Sequence, residues 1–196
     1  MPKKIITDPK YLAEIKRQQI RQQAPPLALL ALSFLTSFAV PLFWFHYPSL
    51  ILAIIAIAWY LYVGFCFRFK EKISIPDGDI VLSPITGRVV VRKTSSDICM
   101  IKIHKAQIDL VEIRCPYQGS FWEDDCLRLN YNGHNLVFRF EGARVHKFDT
   151  AEMEAGNLIG YIYGSASVAI SIPQPLHTVL QQKELCEAGL TAILEA

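Results

Sequence analysis

Two long apolar runs dominate the first third of the chain. "PPLALLALSFLTSFAVPLFWF" (25–45) and "YPSLILAIIAIAWYLYVGFCF" (47–67) hold no charged residue, and only His46 lies between them. Each supplies the roughly 20 residues that a helix needs to cross a hydrocarbon core of about 30 Å. A membrane α-helical hairpin over 25–67 is therefore expected, turning tightly around "FHYPS". Ahead of it, "KYLAEIKRQQIRQQ" predicts a helix within a basic amphipathic segment, 1–24. Its lysines and arginines either lie on anionic headgroups or face water and set topology.

From about residue 73 the pattern shortens. "DIVLSP", "GRVVVRK", "ICMIKIH", "QIDLVEIR", "CLRLNY", "NLVFRF", "LIGYIYG" and "SVAISIP" are rich in β-branched or aromatic residues, and several alternate with period two between turn residues. No amphipathic helix interrupts them. Residues 73–196 are expected to form one mainly-β domain, a sandwich or partly open barrel. Two echoes suggest quasi-twofold halves. "SPITGRV" (83–89) matches "CPYQGSF" (115–121) in a small residue, Pro and Gly, and "EAGNLIG" (154–160) matches "EAGLTAI" (187–193) in Glu-Ala-Gly.

Charge orients the hairpin. Lys3, Lys4, Lys10, Lys16, Arg17 and Arg21 precede it, Arg68, Lys70 and Lys72 follow, and no basic residue but His46 lies between. Both termini and the β domain are thus expected on the cytoplasmic side of the cell inner membrane. A cleaved signal peptide would leave the second run unexplained, and no A-x-A-like site separates the runs. The 52% hydrophobic content, a net charge of +2 and a mean hydropathy above zero agree with a chain partly in lipid. A membrane phospholipid is the expected partner and nucleic acid is not; a homo-oligomer stays open. Cys66, Cys99, Cys115, Cys126 and Cys186 form no C-x-x-C pair, so reduced core thiols are expected. The histidines at 46, 104, 134, 146 and 177 lack ligand-like spacing, and no metal is expected.

The candidate chemistry lies in "LIGYIYGSASVAISIP", where Gly164-Ser165 separates two predicted strands. By itself such a pair marks a bulge or a close backbone approach. Its setting carries more. An apolar hairpin, "FCFRF", "SPITGRV", "DLVEIRCPYQG", "GYIYGSASVAISIP" and "CEAGLTAILEA", in that order, resemble the short form of phosphatidylserine decarboxylase over nearly the whole chain. The resemblance implies self-cleavage between Gly164 and Ser165, by attack of the serine hydroxyl on the preceding carbonyl. It also implies that Ser165 becomes an N-terminal pyruvoyl group, the electron sink for decarboxylating phosphatidylserine to phosphatidylethanolamine. Glycine before the serine admits the strained geometry such a cut needs.

The departures are specific. The family's acid-base Asp falls on Thr86 and its His on Val111, leaving Asp109, Arg114 and Pro116 as matches in "DLVEIRCP". The segment before "NLVFRF" is shorter than in the family, and Ala166 stands where an Arg commonly follows the serine. His104, His146, His177, Asp109 and Glu112 are the remaining candidates for a base, with nothing in their spacing to choose among them. His146 and Lys147 in "GARVHKF" fall where the family tends to carry basic residues, which makes them, with Arg114, candidates for a headgroup contact. Two functions follow: a pyruvoyl-dependent lyase, or a catalytically silent relative that binds lipid or protein at the membrane. A biotinyl- or lipoyl-carrier reading of "EAGLTAIL" lacks a lysine at a modification hairpin.

Overall fold

The computed structural model describes residues 3–39, 43–95, 97–149 and 153–195. Strand β1 (Lys3–Ile6) leads to helices α1 (Pro9–Ala39) and α2 (Phe43–Cys66), then to β2 (Lys72–Ile75), β3 (Ile80–Leu82), β4 (Gly87–Thr94) and β5 (Ile98–Lys105). There follow β6 (Glu112–Arg114), β7 (Phe121–Glu123), β8 (Cys126–Tyr131), β9 (His134–Gly142) and β10 (Val145–Lys147). The chain ends with β11 (Leu158–Ile162), β12 (Ala166–Pro173), β13 (Leu185–Cys186) and β14 (Ala192–Glu195). Two helices are thus followed by a mostly β region.

Local chemistry explains the helix start. Asp8 Oδ1 accepts the Lys10 N–H at 2.8 Å, and Pro9 sits in the first turn, where its missing N–H has no partner to lose. The N-terminal segment differs from expectation in two ways. β1 pairs antiparallel with β2, Lys3 opposite Ile75, and α1 runs without a break through residues 24 and 25. Propensity is local, but the partner of β1 lies some seventy residues away, beyond a sequence window. The expected turn segment "FHYPS" lies inside α2, and the residues joining the helices, 40–42, lie outside those described.

α1 and α2 pack side by side, with Gln23 Nε2 donating to the Tyr60 carbonyl at 3.4 Å. Among the described residues, Tyr47–Cys66 is one helical stretch long and apolar enough to cross a membrane. Leu32, Phe34, Leu35 and Phe38 on α1, and Leu50, Ile51, Ile54 and Ile55 on α2, are all exposed. Below the apolar zone the helices rest on the β region, where Ile15, Val63 and Phe67 pack with Val111, Phe148, Leu158 and Tyr161.

The β region holds a seven-stranded antiparallel sheet, ordered β13-β4-β5-β12-β9-β8-β7, and a three-stranded sheet, β10-β11-β6. Two further pairs are β1-β2 and β14-β3, and among the described residues no sheet closes into a barrel. Period-two alternation aims Ile101, Ile103, Val168, Ile170, Leu136 and Phe138 at one core, shared with Ile113, Ile159 and Ile162 of the smaller sheet. Asn132 and Gly133, with φ of 51° and 80°, make the two-residue turn between β8 and β9.

The sequence echoes occupy matching places. Leu82 N–H donates to the Pro116 carbonyl and Arg114 N–H to the Pro84 carbonyl, both at 2.8 Å, so the two Pro-containing turns lock reciprocally. The two Glu-Ala-Gly turns dock on them alike: Gly156 N–H donates to Cys115 O and Gly189 N–H to Ser83 O, each at 2.8 Å.

Candidate functional site at the Gly164–Ser165 bend

Gly164 and Ser165 lie in no strand. They form the bend by which the chain leaves β11, in the three-stranded sheet, and enters β12, at the middle of the seven-stranded one. Gly164 has φ of 102°, a conformation that L side chains avoid, and a Cβ there would meet nothing closer than the Ala143 Cβ at 3.5 Å. Backbone conformation rather than space therefore demands the glycine. Ser165 is exposed, and its carbonyl accepts the Ala143 N–H at 3.2 Å.

The bend's carbonyl meets a buried cation. Lys105, the last residue of β5 and opposite Ala166 in register, has 0% of its surface exposed. Its Nζ donates to the carbonyls of Gly164 at 3.2 Å, Ala106 at 3.2 Å and Asp109 at 3.3 Å. The turn after β5 places these acceptors: Asp109 Oδ2 takes the Ala106 N–H at 2.7 Å, and Asp109 N–H returns to Ala106 O at 3.1 Å. That turn is why "QIDLVEIR" is a strand only over Glu112–Arg114. Burial pushes the Lys105 ammonium below its ordinary range, and the Asp109 carboxylate opposes that shift.

This site lies at the foot of α2. The Phe67 ring, one residue past the helix, stacks on Tyr163 with centroids 4.6 Å apart. Arg68 Nη2 donates to the Ile108 carbonyl at 2.7 Å, and Arg68 O accepts the Val111 N–H at 3.0 Å. These three contacts tie the bend and the Lys105 turn to the end of the apolar helix.

The other candidates disperse. Thr86 is buried, its hydroxyl accepting the Ala188 N–H at 3.1 Å, and Val111 is buried beneath the helices. Both places named for acid-base partners serve packing. Arg114 is wholly buried, donating to Glu112 Oε2 and Lys70 O at 2.6 Å each and to Gly156 O at 3.0 Å, so it holds the fold together rather than facing a headgroup. His104 Nδ1 lies 3.1 Å from Ser167 Oγ, on the outer face of the sheet. His177 follows the far end of β12 from Ser165. His146 stacks on Tyr161, centroids 4.6 Å apart, and its pKa is lowered by burial and by Arg144, against the pull of Glu14. Lys147 points elsewhere, to the Asp124 carbonyl and over the Trp122 ring. The five cysteines are free thiols; burial pushes Cys115 up to about 11 and Cys186 to about 12.

No protein-family model, curated protein or solved structure matches the chain. What the site can do must come from its geometry. An ammonium on the Gly164 carbonyl draws electron density from the carbon that Ser165 follows, and would stabilise an oxyanion formed there. Lys105 went unnoticed in sequence, although a signal existed: it continues the inward set Cys99, Ile101, Ile103 of β5 by period two.

Proposed function

We propose that the chain is a membrane-anchored, phosphatidylserine decarboxylase-like protein that cuts itself between Gly164 and Ser165. One observation carries this: a fully buried lysine holds the carbonyl of a positive-φ glycine whose next residue is an exposed serine. A purely structural bend has no need of a buried ammonium, whose desolvation costs several kcal/mol.

In the proposed reaction Ser165 Oγ bonds to the Gly164 carbonyl carbon while Lys105 Nζ stabilises the oxyanion. The C–N bond then breaks, and the hydroxyl proton ends on the Ser165 nitrogen, giving an ester. Loss of the Ser165 Cα proton to solvent expels the Gly164 carboxylate from Cβ. Uptake of one water and release of ammonia leave a pyruvoyl group at residue 165. That group supplies the electron sink for decarboxylating an amine. The exposed apolar side chains of α1 and α2 support a hairpin in the inner membrane with the β domain on the cytoplasmic side, which sets the bend at the lipid surface. The matched docking of the two Glu-Ala-Gly turns supports a sandwich with quasi-twofold halves.

The intact mass of the purified protein tests this. Two fragments meeting at Gly164 and Ser165, the smaller without a normal amino terminus, are expected from the native sequence and not from Ser165→Ala. An uncut chain of 22.2 kDa in both refutes self-processing. The second reading, a silent lipid-binding or interaction module, then stands; it is favoured by the packing roles of Thr86 and Val111.

A further inference from the structure

The polar half of α1 faces β10 and β11 across an open cleft of about 490 Å³. Lys10, Glu14, Arg17 and Arg21 line its helical wall, at spacings of three and four residues that place them on one face. His146 and Tyr161, stacked ring on ring, line the sheet wall. Three cations thus stand against one carboxylate, and among the described residues no carboxylate pairs with Arg17 or Arg21. Neither Lys105 nor Ser165 lines this cleft, and neither do Lys147 and Arg114.

Depth decides what such a cleft meets. A Cβ on Gly64, near the end of the apolar helix, would lie 3.4 Å from Gln23 Nε2 and 4.0 Å from Gln19 Nε2. The lipid-facing length of α2 therefore ends level with Gln19–Gln23, and Arg21 sits at that level. Arg17 lies one turn further out, about 6 Å along the axis. The headgroup layer on each side of a bilayer is roughly 5–8 Å thick. Both arginines consequently lie where phosphates lie, while Glu14 falls deeper on the aqueous side, beside Lys10.

We propose that this cleft binds the phosphate of a phospholipid headgroup on Arg17 and Arg21, beside His146 and Tyr161. Guanidinium groups match phosphate oxygens in charge and in fork geometry. The aromatic wall keeps water from one side of the ion pair, and the lipid's chains remain against the apolar faces of the hairpin. The inference rests on the membrane placement proposed above and not on chemistry at Ser165.

The full-length protein in neutral-detergent micelles, titrated with phosphatidylglycerol, tests it through thermal stabilisation. Diacylglycerol with the same chains is the phosphate-free comparator, and inorganic phosphate the lipid-free one. Saturable stabilisation by phosphatidylglycerol alone is expected. In Arg17→Gln/Arg21→Gln it should weaken roughly tenfold or more, since each charge-assisted bond contributes strongly. Lys93→Gln/Arg139→Gln, which removes two exposed charges from the seven-stranded sheet, should bind as the native chain does. Equal stabilisation by diacylglycerol or by inorganic phosphate overturns the lipid-phosphate assignment. Equal binding by the two double variants overturns the site. Cutting at Gly164–Ser165 is read by mass alone, so each proposal can fail without the other.

Discussion

Replacing Lys105 by Met removes the ammonium and keeps most of the side chain's volume. Two effects on stability oppose each other. The carbonyls of Gly164, Ala106 and Asp109 lose a donor, at about 1–3 kcal/mol for a stranded buried group. Against this, a buried cation with no carboxylate in ion-pair distance among the described residues is gone, which relieves a desolvation penalty of several kcal/mol. The net change is expected to stay within about 2 kcal/mol of zero. The proposed self-cleavage has no such offset. Loss of one preorganised donor to a developing oxyanion slows acyl transfer about 10²–10³-fold, or roughly 3–4 kcal/mol of barrier. The assay is a time course of intact mass after rapid purification, paired with thermal melts of the same samples. A Lys105→Met protein that melts near the native temperature yet stays largely uncut is the expected result. Cutting at the native rate would refute the assigned role of Lys105, whatever its effect on the melt.

The same lysine gives a pH signature. Its folded pKa lies below the ordinary 10.5, so between the two values the unfolded chain holds the extra proton and native stability rises with pH. The stability difference between native and Lys105→Met protein should therefore shift in favour of the native chain as pH climbs through that window, and flat melts across it would contradict the burial. Arg114→Met should destabilise by about 3–5 kcal/mol, because Glu112 keeps only the Lys70 N–H and remains a buried, uncompensated charge. Glu112→Leu/Arg114→Met should recover part of that loss in denaturant melts, whereas strict additivity would argue against a coupled pair.

The fold was legible where a signal is local and repeated. Two apolar runs longer than a soluble helix requires read as helices, and most expected strands match β4, β5, β8, β9, β11 and β12 closely. Even the paired turns were visible, because Pro and Gly constrain the backbone wherever they occur. β1 was not, since a four-residue strand is stable only through its partner, and that partner lies beyond both helices. The short β7, β10 and β13 escaped because two or three residues are too few to show a period-two pattern.

The site divides in the same way. By itself the sequence determined that a helical, lipid-compatible segment precedes a β region, and that a Gly-Ser pair interrupts two of its strands. Composition and period suffice for both, because burial on one face is written in every second or every third to fourth residue. Only the tertiary structure decided which side chains reach that pair. Arg114, matched by motif, is sequestered in a buried ion pair with Glu112, while Lys105, matched by none, has its ammonium on the Gly164 carbonyl. That convergence arises because β5 and β12 are neighbours in the sheet although about sixty residues apart in the chain, a pairing set by the packing of the whole core and by no local pattern.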